Sequence, residues 1–171
     1  MFIYNSANLQ SMKFAIISDT HDNITAIREM IDVLKKEKIE FMVHAGDIVA
    51  PFSMKELKSL NVKIYFAFGN NDGERKILTN ITKENGWVIG DIITYPVEDG
   101  EGVVYHGTDP EIVKVLGNTN YKLIVLGHTH KPDIKKLEDK IIVNPGEVCG
   151  YLTGKRTFAI FENGEVSIVE F

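Results

Sequence analysis

With 171 residues, 44% hydrophobic and 25% charged, the chain has the size and balance of one globular domain. Its net charge of −5, with Lys and Glu interspersed, excludes broad nucleic-acid binding through phosphate neutralisation. No apolar run reaches the roughly 18 residues of a membrane span, and a lone cysteine, Cys149, excludes an internal disulfide and points to a reducing, cytoplasmic setting.

Residues 1–11, MFIYNSANLQS, lack the basic start and continuous apolar core of a signal peptide. They read as an N-terminal extension or tail, with the folded domain over 12–171. KFAIIS (13–18) is a continuous apolar strand of the kind found in a sheet covered on both faces. The next segment, ITAIREMIDVLKKEK, sets Ile24, Ile27, Ile31 and Leu34 on one helical face and Arg28, Asp32, Lys35 and Lys36 largely on the other. Asp22 or Asn23 can cap its start. EFMVHAGD repeats the pattern of an apolar run with a polar end. SMKELKSL follows as a short helix and VKIYFAFGNND as a third strand.

Beyond residue 86 the texture changes. WVIGDIITYPV, GVVYHG, KLIVLGHTH, KPDIKKL, KIIVNPG, RTFAIFENG and EVSIVEF are short β-like runs, and only PEIVKVLGN between them looks helical. Asn163-Gly164 is a tight-hairpin signal. βαβ units followed by short strands imply an α/β fold of two packed mixed β-sheets flanked by helices, a four-layer α/β/β/α sandwich.

Five of the strand-like runs end in side chains able to bind metal: Asp19 with His21, Asp47, Asn70, His106, and His128 with His130. Strand ends on one sheet edge are where open α/β folds place their sites. Each alone has a plain reading. Asp19 or Asp22 in DTHD and Asp47 in HAGD suit helix caps, GNND suits a turn, and His106 suits a histidine bonded to a carbonyl. The two imidazoles of GHTH suit chelation better than packing, and the ordered combination makes the joint reading strong. His44 reads as a satisfied core histidine and Cys149 as an inert small residue. The chain lacks the Asp-x-Asp pair of an aspartyl phosphatase and any Gly-x-Ser-x-Gly elbow.

The ordered set DTH, GD, GNND, HG and GHTH resembles the signature of the calcineurin-like metallophosphoesterases, in particular their small single-domain prokaryotic phosphodiesterases. The resemblance runs from Met12 to Phe171. It implies one metal held by Asp19, His21 and His130 and a second by Asn70, His106 and His128. Asp47 would bridge them, with a hydroxide between the metals as nucleophile. Mixed imidazole and carboxylate ligands suit transition metals, Mn foremost, with Ni, Fe, Co or Zn as alternatives. The expected substrate is a small or activated phosphodiester, with Asn70 and Asn71 binding it. A phosphomonoesterase is the rival enzyme. A non-catalytic scaffold, as in the retromer subunit of similar fold, is the rival of another class.

Larger relatives read Gly-Asn-His-Glu where this chain has Gly69-Asn70-Asn71-Asp72. Asn71 can donate a hydrogen bond to the leaving oxygen but cannot protonate it near neutral pH. Asp72 is expected to orient the site through one of its histidines, and Asn144 and Gly146 of NPGE to shape the loop behind it. Glu147 stands where relatives usually carry Ser. A homodimer through an exposed apolar face is compatible with the composition.

Overall fold

The structure is a computed structural model that describes residues 12–171; the expected extension at 1–11 lies outside the described residues. The chain runs β1 (Lys13–Ile17), α1 (Ile24–Leu34), β2 (Phe41–His44), α2 (Pro51–Glu56), β3 (Lys63–Ala67), α3 (Arg75–Glu84) and β4 (Val88–Gly90). It continues through β5 (Ile92–Val97), β6 (Gly100–Tyr105), α4 (Pro110–Gly117), β7 (Leu123–Val125), β8 (Asp133–Lys136), β9 (Ile141–Asn144), β10 (Thr157–Glu162) and β11 (Glu165–Glu170).

Two mixed sheets result. One has the order β11-β10-β1-β2-β3-β4 and the other β5-β6-β7-β9-β8. β1 lies in the middle of its sheet, parallel to β2 and antiparallel to β10, which accounts for its unbroken apolar run. The core between the sheets includes Phe14, Ile16, Val43 and Tyr65 from one and Tyr95, Val104 and Val125 from the other. Phe14 stacks between Phe41 and Phe161, with ring centroids 4.3 and 4.6 Å away. A second core joins the first sheet to α1, α2 and α3, and a smaller one seats α4 on the other sheet. This is the expected four-layer arrangement.

α1 follows its sequence pattern, burying Ala26, Ile27, Met30, Ile31 and Leu34, and its N-cap is Asn23, whose side chain accepts from Ala26 N at 3.1 Å. Two elements differ from the sequence reading. The sequence reading assigns no element to residues 75–84, where the β-branched Ile77, Thr79, Ile81 and Thr82 lower helix propensity. They form α3 nonetheless, since Leu78, Ile81 and Thr82 share one buried face and packing outweighs propensity. The run WVIGDIITYPV is also two strands. Gly90 pairs with Ala67 in the first sheet and Ile92 with Tyr105 in the second, so the chain changes sheets at Asp91. The hairpin forms as read, with Asn163 (φ 54°) and Gly164 (φ 75°) turning β10 into β11. Among the described residues no helix is long and apolar enough to cross a membrane.

Candidate metal centre

The parallel strands β1, β2, β3, β6 and β7 deliver their C-terminal ends to one edge, so residues separated by over a hundred positions converge. Asp19, His21, Asp47 and His130 offer ligand atoms that all lie within 4.8 Å of one another. Asp47 Oδ2 is 3.3 Å from His21 Nε2 on one side and 3.3 Å from His106 Nε2 on the other. His106 Nε2 in turn lies 3.0 Å from Asn70 Oδ1, and the His106 and His128 rings are 5.2 Å apart. The seven residues singled out in the sequence thus form one group, with Asp47 between its two halves.

The backbone reaches this arrangement under strain. Asp19, His21, Asp47, His128 and His130 all have positive φ, between 39° and 69°. Such conformations cost of order 1 kcal/mol each for residues other than glycine, and they gather where surrounding structure over-determines them. Close packing explains the neighbouring glycines. A Cβ at Gly69 would run into the Asp47 carboxylate, and one at Gly127 into Ser18 Oγ.

Two ring tautomers follow from the partners. His106 Nδ1 lies 2.6 Å from the Ala45 carbonyl and His130 Nδ1 lies 2.7 Å from Glu147 Oε2. Both partners only accept, so Nδ1 carries the proton in each ring and the Nε2 lone pair turns inward. Those inward nitrogens meet carboxylate oxygens: His106 Nε2 at 3.3 Å from Asp47, His130 Nε2 at 3.4 Å from Asp19 Oδ1. A lone pair facing an anionic oxygen requires a proton or a cation between them. Asp19 Oδ1 and His21 Nε2 are also buried without a hydrogen-bond partner. This donor set fits a metal pair. In its absence the Asp19 and Asp47 carboxylates push the His21 pKa up to about 9. Burial opposes ionisation of Asp47, but the His106 and His21 imidazoles beside it outweigh burial and hold its carboxyl well below the usual range.

The surrounding residues fix these groups. Asp19 Oδ2 accepts from His128 N at 3.2 Å, tying the first strand end to the GHTH loop. Asn71 donates to Asp47 twice, from its backbone N at 2.9 Å and its side-chain Nδ2 at 2.8 Å. Asp72 contacts no histidine, contrary to the sequence expectation. Its carboxylate accepts from Val49 N and Gly69 N, both at 2.7 Å, and from Asp47 N at 3.2 Å. With three amides converging on it, Asp72 binds the loops after β2 and β3 together. Asn144 donates to Gly127 O at 2.7 Å and to Thr129 Oγ1 at 3.0 Å, while accepting from Gly146 N at 2.9 Å. The NPG turn therefore braces the GHTH loop.

His44 is fully buried beneath the cluster, its Nε2 3.2 Å from Thr20 Oγ1 and its Nδ1 accepting from Gly46 N at 3.1 Å. Burial pulls its pKa down to about 3, so it is a neutral core group. Cys149 is buried and free, and burial together with the Glu147 carboxylate pushes its thiol up to about 12, which makes it unreactive. Sequence reasoning missed the part played by Glu147. Its only signal was a charged residue in place of Ser within a turn next to GHTH, and neither spacing nor periodicity links position 147 to His130.

Residues 12–165 match the family model described as the calcineurin-like phosphoesterase superfamily domain, and the chain belongs to that superfamily. A phosphodiesterase of Methanocaldococcus jannaschii is 37% identical over 156 residues, which span 88% of this chain and 93% of that protein. A solved structure of an archaeal phosphodiesterase shares 34% identity, with a TM-score of 0.88 over 94% of this chain and 100% of the other. Vps29 of Chaetomium thermophilum, at 13% identity and a TM-score of 0.68 over 94% of this chain and 95% of its own, shares the fold alone.

Proposed function

We propose that this chain is a dinuclear-metal-dependent phosphodiesterase acting on small or activated phosphodiesters. The observation that supports this most is Asp47, whose single carboxylate is shared by His21 on one side and His106 on the other. Asp19, His21 and His130 would hold one metal and Asn70, His106 and His128 the other, with Asp47 common to both. When bound, a metal pair neutralises phosphoryl charge and lowers the pKa of water enough to supply a nucleophile at neutral pH. Manganese is the metal of choice for a first test, since the ligand set suits several transition ions.

The chain's own residues narrow the substrate. Asp19 and Asp47 offset about two of the four positive charges of a metal pair. Glu147 adds a third carboxylate, 2.7 Å from His130, and its pKa sits down at about 2 because the His130, Thr153 and Cys149 hydrogen bonds overcome its burial. With the hydroxide nucleophile counted as well, about no net positive charge remains, so a monoanionic diester overshoots by less than a dianionic monoester. Asn70 and Asn71 lie exposed at the mouth of the group; one Asn71 amide hydrogen goes to Asp47 at 2.8 Å, and its second, with those of Asn70, would serve a phosphoryl or ester oxygen. Neither can donate a full proton, so the leaving group must depart as a stable anion.

The test is hydrolysis of bis-p-nitrophenyl phosphate with added Mn²⁺, compared with p-nitrophenyl phosphate and a dialkyl diester. The expected order is aryl diester fastest, with activity lost on chelation and restored by Mn²⁺. Faster turnover of the monoester would favour the phosphomonoesterase reading. Tight metal binding without turnover of any ester would favour the scaffold.

A further inference from the structure

Glu147 is fully buried, and its carboxylate gathers contacts from two places at once. Oε2 accepts from His130 Nδ1 at 2.7 Å, from Cys149 Sγ at 3.0 Å and from Tyr151 N at 3.0 Å. Oε1 accepts from Leu152 N at 3.0 Å, from Thr153 N at 2.6 Å and from Thr153 Oγ1 at 2.7 Å. One side chain therefore joins an imidazole of the candidate centre to three successive amides of the following loop. Burying an acid is costly without such compensation, and a plain surface turn has no need of it.

That loop presents two large apolar side chains outward. Tyr151 is 61% exposed and Leu152 is 72% exposed, although both follow directly on the buried Cys149 and its glycine. Gly150 (φ 71°) and Gly154 (φ 74°) bracket them in left-handed conformations, which turn the chain out and back. The Tyr151 ring nevertheless lies beside the centre, its centroid 6.5 Å from that of His21. Asn23 Nδ2 donates to Cys149 O at 2.8 Å, fastening the base of the loop to the segment that follows Asp19 and His21.

We propose that Glu147 makes the Tyr151–Leu152 loop a wall of the active site, orienting His130 while holding the Tyr151 ring against the aromatic or apolar ester group of a bound phosphodiester. This rests on the phosphodiesterase reading above. An aryl or nucleobase-like group would gain contact with the ring, whereas a methyl ester would gain almost none. Glu147 is a positioning residue in this scheme, and Tyr151 is the residue that determines specificity.

Two sets of variants of the full chain test it. In Tyr151→Ala, the preference in kcat/KM for bis-p-nitrophenyl phosphate over methyl p-nitrophenyl phosphate should fall roughly fivefold, mainly through KM. Tyr151→Phe should keep the preference because the ring remains. In Glu147→Gln, amide hydrogen exchange at 151–153 should accelerate and Mn²⁺ affinity should drop about 10- to 100-fold. An unchanged preference in Tyr151→Ala overturns the wall, and unchanged exchange at 151–153 in Glu147→Gln overturns the coupling. Should Glu147→Gln not fold, the exposed Tyr151 variants still decide the wall. Should the wild-type chain cleave no diester, the functional reading fails, and exchange and Mn²⁺ affinity still decide the coupling.

Discussion

Asp19 and His130 are buried, at 0% and 7% exposure, whereas Asn70 and His128, their counterparts across Asp47, are exposed. The difference extends to the supports. Asp19 is clasped by the GHTH backbone and His130 by Glu147, while Asn70 Oδ1 has the His106 ring as its partner at 3.0 Å. Burial and outer hydrogen bonds hold ligands in place before any cation arrives, so the half with Asp19 and His130 has more fixed ligands than the half with Asn70 and His128, where only His106 is buried and braced, by Ala45 O at 2.6 Å. The lesson is a division of labour. On the proposed reading, the dense half would hold its metal more tightly and the open half would exchange one more readily.

The most damaging change to this picture is Asp47→Asn. Loss of the shared carboxylate should strip both metals and lower aryl-diester hydrolysis by more than about a hundredfold, beyond the usual effect of an outer partner. Elemental analysis after dialysis, with rates at saturating Mn²⁺, checks it; a variant that keeps one tightly held ion would break the sharing of Asp47.

Next in size is a contrast between two histidines. His130→Ala should weaken the tighter of two Mn²⁺ equivalents by at least about tenfold, while His128→Ala should affect chiefly the weaker one. Calorimetric titration separates them, and equal losses from both variants would erase the asymmetry.

A smaller effect concerns protons. In the metal-free chain His21 has its pKa raised from 6.5 to about 9, so the stabilisation from its proton is full below about pH 6.5 and fades as pH rises through 9. Metal binding requires neutral imidazole. Filling the dense half at pH 7 should therefore release about one proton from His21, and release should vanish above its raised pKa. Titrations in buffers of different ionisation enthalpy read this directly; pH-independent uptake would contradict it.

The smallest is structural. Thr20→Val removes the hydroxyl 3.2 Å from His44 Nε2 and should cost about 1–2 kcal/mol in chemical denaturation, because it leaves a buried nitrogen unpaired. The number of metals bound should stay at two.

How much of this was legible in the sequence depends on range. α1 and the hairpin at Asn163-Gly164 declare themselves through local periodicity and turn chemistry. The seven candidate ligands were legible because chemistry-bearing residues kept appearing at strand ends, and the sandwich edge then brings those ends together. α3 was hidden because its β-branched residues argue against the helix that packing imposes. The sheet change at Asp91 was hidden because one apolar run gives no sign of which partner each half will choose. The contacts of Asp72 with three backbone amides, and of Glu147 with His130 and three more, were beyond reading, since a carboxylate's partners depend on loop conformations that residue order does not specify.

Electron paramagnetic resonance of the chain loaded with two equivalents of Mn²⁺ tests most directly the proposed sharing of Asp47 between two metals. The expected result is the spectrum of an exchange-coupled manganese pair, replaced in Asp47→Asn by the signal of free aqueous Mn²⁺. Two equivalents bound in the wild-type chain with only uncoupled, mononuclear signals would contradict it.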